Sequence, residues 1–183
     1  MKPMKDSAIE HAIASKKEIL GKVKELGTEI ELVLDNKVFT AELLWLCAPK
    51  TCEAVARALP LDSAKTVDGG VIHSCIFGWT MLARWPKTAV SFAVPPDNHQ
   101  ILLKEGYLYW QTYDEPLRDE RFEASLNEMA ICYRAGYGWS GPQGIHALNE
   151  FAMIKDKLDE LAAIGNDLYS KSGQKTLKIR RKK

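Results

Sequence analysis

No stretch of this chain approaches the roughly 18 consecutive apolar residues of a membrane-spanning helix. The N-terminal run MKPMKDSAIEHAIASKKEIL is charged throughout and lacks the unbroken apolar stretch of a secretory signal. A cytoplasmic location is the resulting expectation. Charge of a single sign is lacking as well. The formal net charge is +1 over 183 residues, so no global field draws nucleic acid, and the basic ending KIRRKK reads as a short solvated tail. The four cysteines, Cys47, Cys52, Cys75 and Cys132, form no Cys-x-x-Cys pair. That excludes the usual spacing of a zinc knuckle or a dithiol motif, and reduced, mostly buried thiols are expected. His73, His99, His146 and Glu128 are scattered, with no His-Glu-x-x-His spacing, so no metal and no cofactor is expected. Internal repeats and low-complexity tracts are absent.

What is present suits one domain with an appendage. Hydrophobic residues make up 46% of the chain and charged residues 27%, enough apolar matter for a real core. From Ser7 to Leu26, Ile9, Ile13, Leu20, Val23 and Leu26 recur at helical spacing, and Gly27 stops the helix. This N-terminal extension, residues 1–27, carries an apolar stripe that needs a cover. A homo-oligomer formed through it is the expected partner arrangement.

The remainder, residues 28–183, alternates short strands with turns. TEIELVLDNKVFTAELLW reads as a hairpin about Asp35, Asn36 and Lys37, with Phe39, Ala41, Leu43 and Trp45 on one face. Pro49 suits the first turn of a short helix, whose stripe is Cys52, Val55, Ala56 and Leu59. VIHSCIFGWTMLARW reads as strand with a bend at Gly78, and QILLKEGYLYWQTY as two short strands around Glu105 and Gly106. NEMAICY and NEFAMI read as core strands, and DKLDELAAIGNDLYS as an amphipathic helix with Leu158, Leu161, Ala162 and Leu168 on one side. TLKIRR reads as a closing strand. RAGYGWSGPQGIHAL, with four glycines and a proline, reads as a long irregular loop. This order of many strands with one early and one late helix predicts a mainly β fold, a closed antiparallel barrel whose ends are capped by helices.

Chemistry-bearing residues concentrate in that glycine-rich loop. Arg134 suits a carboxylate through two parallel hydrogen bonds. Tyr137 and Trp139 offer apolar walls, Gln143 and Asn149 amides, and His146 an acid or base near neutral pH. Trp79 reads as a wall residue. His73 and Cys75 share a strand face, but Cys75 sits among Val71, Ile72, Ile76 and Phe77 and reads as core. Glu128 shares a face with Ala130 and Cys132, and its place at a strand start favours solvent exposure over a base of raised pKa.

The segment FTAELLWLCAPKTCEAVARALPL resembles the strand and Pro-Lys-Thr-opened helix of cyclophilins. Together with GGVIHSCIFGW, ICYRAGYGWSGPQG, NEFAMI and LDELAAIGNDLYSKSGQKTLKIRR, it is similar to a bacterial family of cyclophilin-like proteins of unknown function, over roughly Thr28 to Arg181. The resemblance implies a cyclophilin-like closed antiparallel barrel with the helix at Pro49 over one mouth. It also implies where the chain departs. The Phe-His-Arg motif of prolyl isomerases is matched here by VIHSC, so His73 remains and Ser74 stands where the arginine would polarise the peptide bond.

Three functions follow in order. The first is a small-molecule enzyme acting on a carboxylate- or amide-bearing metabolite, as hydrolase, lyase or isomerase, with His73, His146 and Glu128 for acid–base chemistry and Arg134 as anchor. The second is a non-catalytic ligand-binding or subunit-interaction protein. The third is a peptidyl-prolyl isomerase. Convergence of His73, Arg134 and His146 on one pocket favours the enzyme, and dispersal favours the binding protein.

Overall fold

The computed structural model describes residues 4–62, 71–74, 79–85, 93–112, 127–136, 138–141, 144–171 and 174–182. The elements follow in chain order. Helix α1 (Met4–Leu26) leads into strands β1 (Glu29–Leu34) and β2 (Lys37–Leu43), then helix α2 (Pro49–Ala58). Strands β3 (Leu61–Asp62), β4 (Val71–Ser74), β5 (Thr80–Arg84), β6 (His99–Gln100), β7 (Tyr107–Thr112) and β8 (Asn127–Cys132) follow. The chain ends with β9 (Trp139–Gly141), β10 (Gly144–His146), β11 (Leu148–Ile154), α3 (Leu158–Lys171), β12 (Gln174–Lys175) and β13 (Leu177–Arg181).

The first hairpin forms as its alternation dictates. Asp35 and Asn36 both take positive φ, 51° and 64°, conformations that short polar side chains tolerate, and they join β1 to β2 in a tight turn. Phe39, Ala41, Leu43 and Trp45 are buried, as are Ile30, Leu32 and Leu34 opposite. Pro49 opens α2, and the Asp97 carboxylate caps it, accepting from the backbone N–H of Lys50 at 2.7 Å and of Thr51 at 3.0 Å. Gly106, at φ 81°, holds the turn before β7. A Cβ there would lie 2.6 Å from the carbonyl oxygen of Ile154, so only glycine fits.

Eleven of the described strands form one curled antiparallel sheet, an open half-barrel in the order β12-β4-β5-β8-β7-β11-β2-β1-β13-β3, with β6 pairing β11. The described pairings do not join β12 to β3. The C-terminal segment nevertheless reaches both margins. β12 pairs with β4, and one residue later β13 pairs with β1 and β3. The concave side holds the main core, with Trp85, Trp110, Phe151, Met81, Ile131 and Tyr133 among its large members, and α2 and α3 pack onto it. The convex side of β5, β8, β7 and β11 carries a smaller cluster of Leu82, Leu103, Tyr109, Ala130, Cys132 and Leu148.

Several expectations change. Residues 101–104 are not strand; they form a strap across the convex face, with Ile101 and Leu102 exposed and Leu103 buried. The glycine-rich stretch contains a hairpin, β9 with β10, because its glycines flank two short extended runs. The α1 stripe divides. Ile19, Val23 and Leu26 pack on the core, whereas Leu20 is 55% exposed. The side chains of Ile9 and Ile13, and the stretches 63–70 and 113–126, lie outside the described residues.

Candidate functional site

Strand alternation sets which residues of β8 face outward. Asn127, Met129 and Ile131 turn to the concave core, so Glu128, Ala130 and Cys132 turn to the convex cluster. Glu128 is 4% exposed rather than solvated, because it stands in register between Arg84 of β5 and Gln111 of β7, mid-sheet rather than at an edge. Cys132 donates from its Sγ to the carbonyl oxygen of Arg134 at 2.9 Å, and burial pushes its thiol up to about 12. It is therefore a fixed, neutral thiol that pins the backbone just before the glycine-rich stretch.

That hydrogen bond places Arg134 at the end of the sheet. Its guanidinium lies over the Trp79 ring, 5.4 Å from the centroid, within cation–π range. Trp79 is half-buried and packs edge-on against Tyr133 at 6.2 Å and Tyr169 of α3 at 5.5 Å. Tyr133 is seated by Gly165, whose missing side chain leaves room for the ring; a Cβ would stand 2.5 Å from it. Arg134 is exposed, and among the described residues no carboxylate pairs with it.

The other expected site residues fall in different places. Asn149 is 2% exposed on the concave side, and its amide is committed. Oδ1 accepts from the N–H of Asp97 at 3.1 Å, and Nδ2 donates to the carbonyl of Pro95 at 3.1 Å. It thus holds the segment whose Asp97 caps α2. His146 is half-buried in β10, opposite Trp139. It precedes Leu148, which pairs with Gln100 at one end of β11. Arg134 lies toward the other end, where Cys132 accepts from Gly106 N–H and Tyr107 pairs with Met153. Glu128 and Arg134 are six residues apart along an extended run, up to roughly 20 Å at ~3.3 Å per residue. His73 stands in register with Met81, two residues from Trp79, so its backbone is near the Arg134 corner. The side chains of His73 and Trp139, and all of Cys75, Tyr137 and Gln143, lie outside the described residues. The chain therefore brings Trp79 and Arg134 together, with His73's backbone beside them, and separates His146, Glu128 and Asn149 from them.

A buried polar group missed by the sequence reading lies on the convex face. Tyr109 donates to Glu150 Oε2 at 3.0 Å and accepts from the backbone N–H of Lys104 at 2.8 Å, while Lys104 Nζ meets Glu150 Oε1 at 3.0 Å. Burial, with the Glu150 carboxylate adding to it, holds the Tyr109 phenol well above its usual range, so it stays a donor. The alternation of Tyr107, Tyr109 and Gln111 was a legible signal; their partners on β11 and the strap were not. A cavity of about 370 Å³ also lies between α2 and Val94–Pro95, lined by Lys50, Ala54, Arg57 and Ala58. Arg57 there is already tied to Glu25 and Glu53. No group of three or more described residues is arranged to hold a metal. No described helix is long and apolar enough to cross a membrane.

A match to the family described as Protein of unknown function (DUF3830) covers residues 30–179. The chain belongs to the DUF3830 family. Its α1 thus lies outside the family's matched region, and the Arg134 corner inside it. No curated protein matches the chain. Among solved structures the DUF3830 chain is similar to a cyclophilin-type peptidyl-prolyl cis-trans isomerase from Cryptosporidium parvum, at 15% identity over 85% of this chain and 98% of that one, with a TM-score of 0.48. The same isomerase in the presence of the dipeptide Ala-Pro gives 15% identity over 85% and 99%, with a TM-score of 0.45.

Proposed function

We propose that this DUF3830 protein is a non-catalytic binder of a small carboxylate-bearing molecule, held at the corner formed by Arg134 and Trp79. The observation that carries this reading is the exposed guanidinium lying over an aromatic ring, 5.4 Å from its centroid, with no carboxylate partner among the described residues. A planar, pre-ordered fork loses little freedom when it takes a carboxylate through two hydrogen bonds. Trp79 then offers an apolar wall for the ligand's body.

The separation of His146 and Glu128 from Arg134 favours binding over turnover, since an acid or base must come within about 3 Å of the proton it moves. An enzyme acting on the same ligand is the second reading. It is favoured by the register position of His73 beside Trp79. Prolyl isomerisation comes third, because by the resemblance to cyclophilins Ser74 stands where the polarising arginine would be.

A thermal-shift panel of small carboxylates, amines and amides tests the reading. Carboxylates should raise the melting temperature, as any ligand selective for the folded state does. Stabilisation by amines or amides alone would remove the anion-binding reading. Chemical change of the stabilising compound on incubation would replace the binder by the enzyme.

A further inference from the structure

Helix α3 meets the Trp79 corner with two residues one turn apart. Gly165 and Tyr169, at i and i+4, share one side of the helix. Gly165 leaves room for the Tyr133 ring, and Tyr169 stands beside Trp79. Tyr133 is fully buried, so it backs Trp79 from the core side. Tyr169 is 55% exposed and Arg134 is exposed as well, so these two flank Trp79 on the solvent side. The guanidinium carbon and the Tyr169 ring centre both lie within 5.5 Å of the Trp79 ring centre, in reach of one small molecule. The Tyr169 and Trp79 rings are inclined at 76°, so they form two walls of a corner rather than a flat stack. A single exposed aromatic is ordinary on a protein surface. This one is set nearly perpendicular to a half-buried tryptophan, beside an arginine with no carboxylate partner among the described residues.

We infer that Tyr169 makes this corner selective for aromatic carboxylates, of the benzoate or arylacetate kind, over aliphatic ones. The inference rests on Arg134 as the carboxylate anchor and names the ligand class for that same site. An aromatic ring carries a negative face and a positive edge. Between two inclined aromatic walls, a flat aryl ring that stacks on one wall turns its edge toward the face of the other. An aliphatic ring of the same size fills the same space without that electrostatic match. Aromatic pairing of this kind, beyond the area it buries, corresponds to roughly two- to tenfold in affinity. An aryl carboxylate also holds its anion and its ring in one small rigid body. That suits a cation and a second ring that share a single indole as their neighbour.

Calorimetric titration of the full chain with benzoate and with cyclohexanecarboxylate is the test. The two acids are alike in charge and size and differ in the ring. Wild-type protein should bind benzoate roughly threefold or more the tighter, although cyclohexanecarboxylate has the more apolar body. Tyr169→Leu should lose most of that preference while keeping an apolar wall. Tyr169→Phe should keep it, because it keeps the ring. Both variants should hold the wild-type helix content and melting temperature, since Tyr169 is more than half exposed. Equal affinity for the two acids in the wild type, a preference for the aliphatic one, or a preference that survives Tyr169→Leu or is lost in Tyr169→Phe would overturn the inference and leave Arg134 as a plain carboxylate anchor. Binding of neither acid, or binding that ignores Arg134→Ala, would instead remove the anchor, and the selectivity would fall with it.

Discussion

The guanidinium of Arg134 rests 5.4 Å from the centre of the Trp79 ring, and Trp79 is held in place from below by Tyr133. The seat of that stack is Gly165 on α3, where a Cβ would collide with the Tyr133 ring at 2.5 Å. Gly165→Ala should therefore cost roughly 1–3 kcal/mol by overpacking, a fall in melting temperature of several degrees. It should also shift tryptophan emission by moving Trp79. An alanine variant as stable as wild type, with unchanged emission, would mean the ring has room to spare.

Asn149 and Asp97 act as one unit. Asn149 fixes the segment, and Asp97 then caps α2 through Lys50 N–H, Thr51 N–H and the Thr51 hydroxyl at 2.7 Å. Asp97→Ala should cost roughly 1–2 kcal/mol, the usual loss for a helix cap. Combined with Asn149→Ala the effects should be less than additive, with a coupling of about 0.5 kcal/mol or more in a double-mutant cycle. Strict additivity would show that Asn149 does not work through the cap.

The thiols should divide sharply by accessibility. Cys47 is exposed, whereas Cys52 donates to the Phe151 carbonyl at 3.3 Å and Cys132 to that of Arg134, and burial raises both thiols. Alkylation near pH 8, followed by peptide mass spectrometry, should label Cys47 quickly and the other two only on unfolding. Rapid labelling of Cys132 in the native protein would show that the backbone ahead of Arg134 is not pinned.

Much of the fold was written locally, and the site was not. The alternation of Phe39, Ala41, Leu43 and Trp45 and the proline at the start of α2 are each decided within a few residues, and each took the expected form. The burial of Glu128 was invisible because its flanking partners, Arg84 and Gln111, come from strands distant in sequence. Glu150 likewise meets Lys104 only because the strap folds over the convex face. The glycine-rich stretch suggested one cluster, but its path past Leu103 and Ile101 carries His146 away from Arg134. Closeness in sequence was a poor guide to closeness in space there, whereas Trp79, 55 positions earlier in the chain, turned out to be Arg134's neighbour.

Ser74 pairs with Thr80 in the ladder where prolyl isomerases carry arginine by resemblance. Turnover of Xaa-Pro peptides is expected to be negligible if that resemblance holds, because serine cannot supply the charge that the arginine would. Robust acceleration in a standard peptide assay, abolished by His73→Ala, would restore the isomerase reading.

The central claim rests on Arg134 as a carboxylate anchor, and calorimetric titration of the best small carboxylate from the stability panel tests it most directly. Wild-type protein should bind with one site, and Arg134→Ala should lose binding by at least tenfold while keeping its melting temperature within a few degrees, since an exposed cation–π contact is worth only about 0.5–1 kcal/mol. Arg134→Lys should recover little, because a point charge does not reproduce the planar fork. Binding that survives Arg134→Ala unchanged would contradict the assignment of the site.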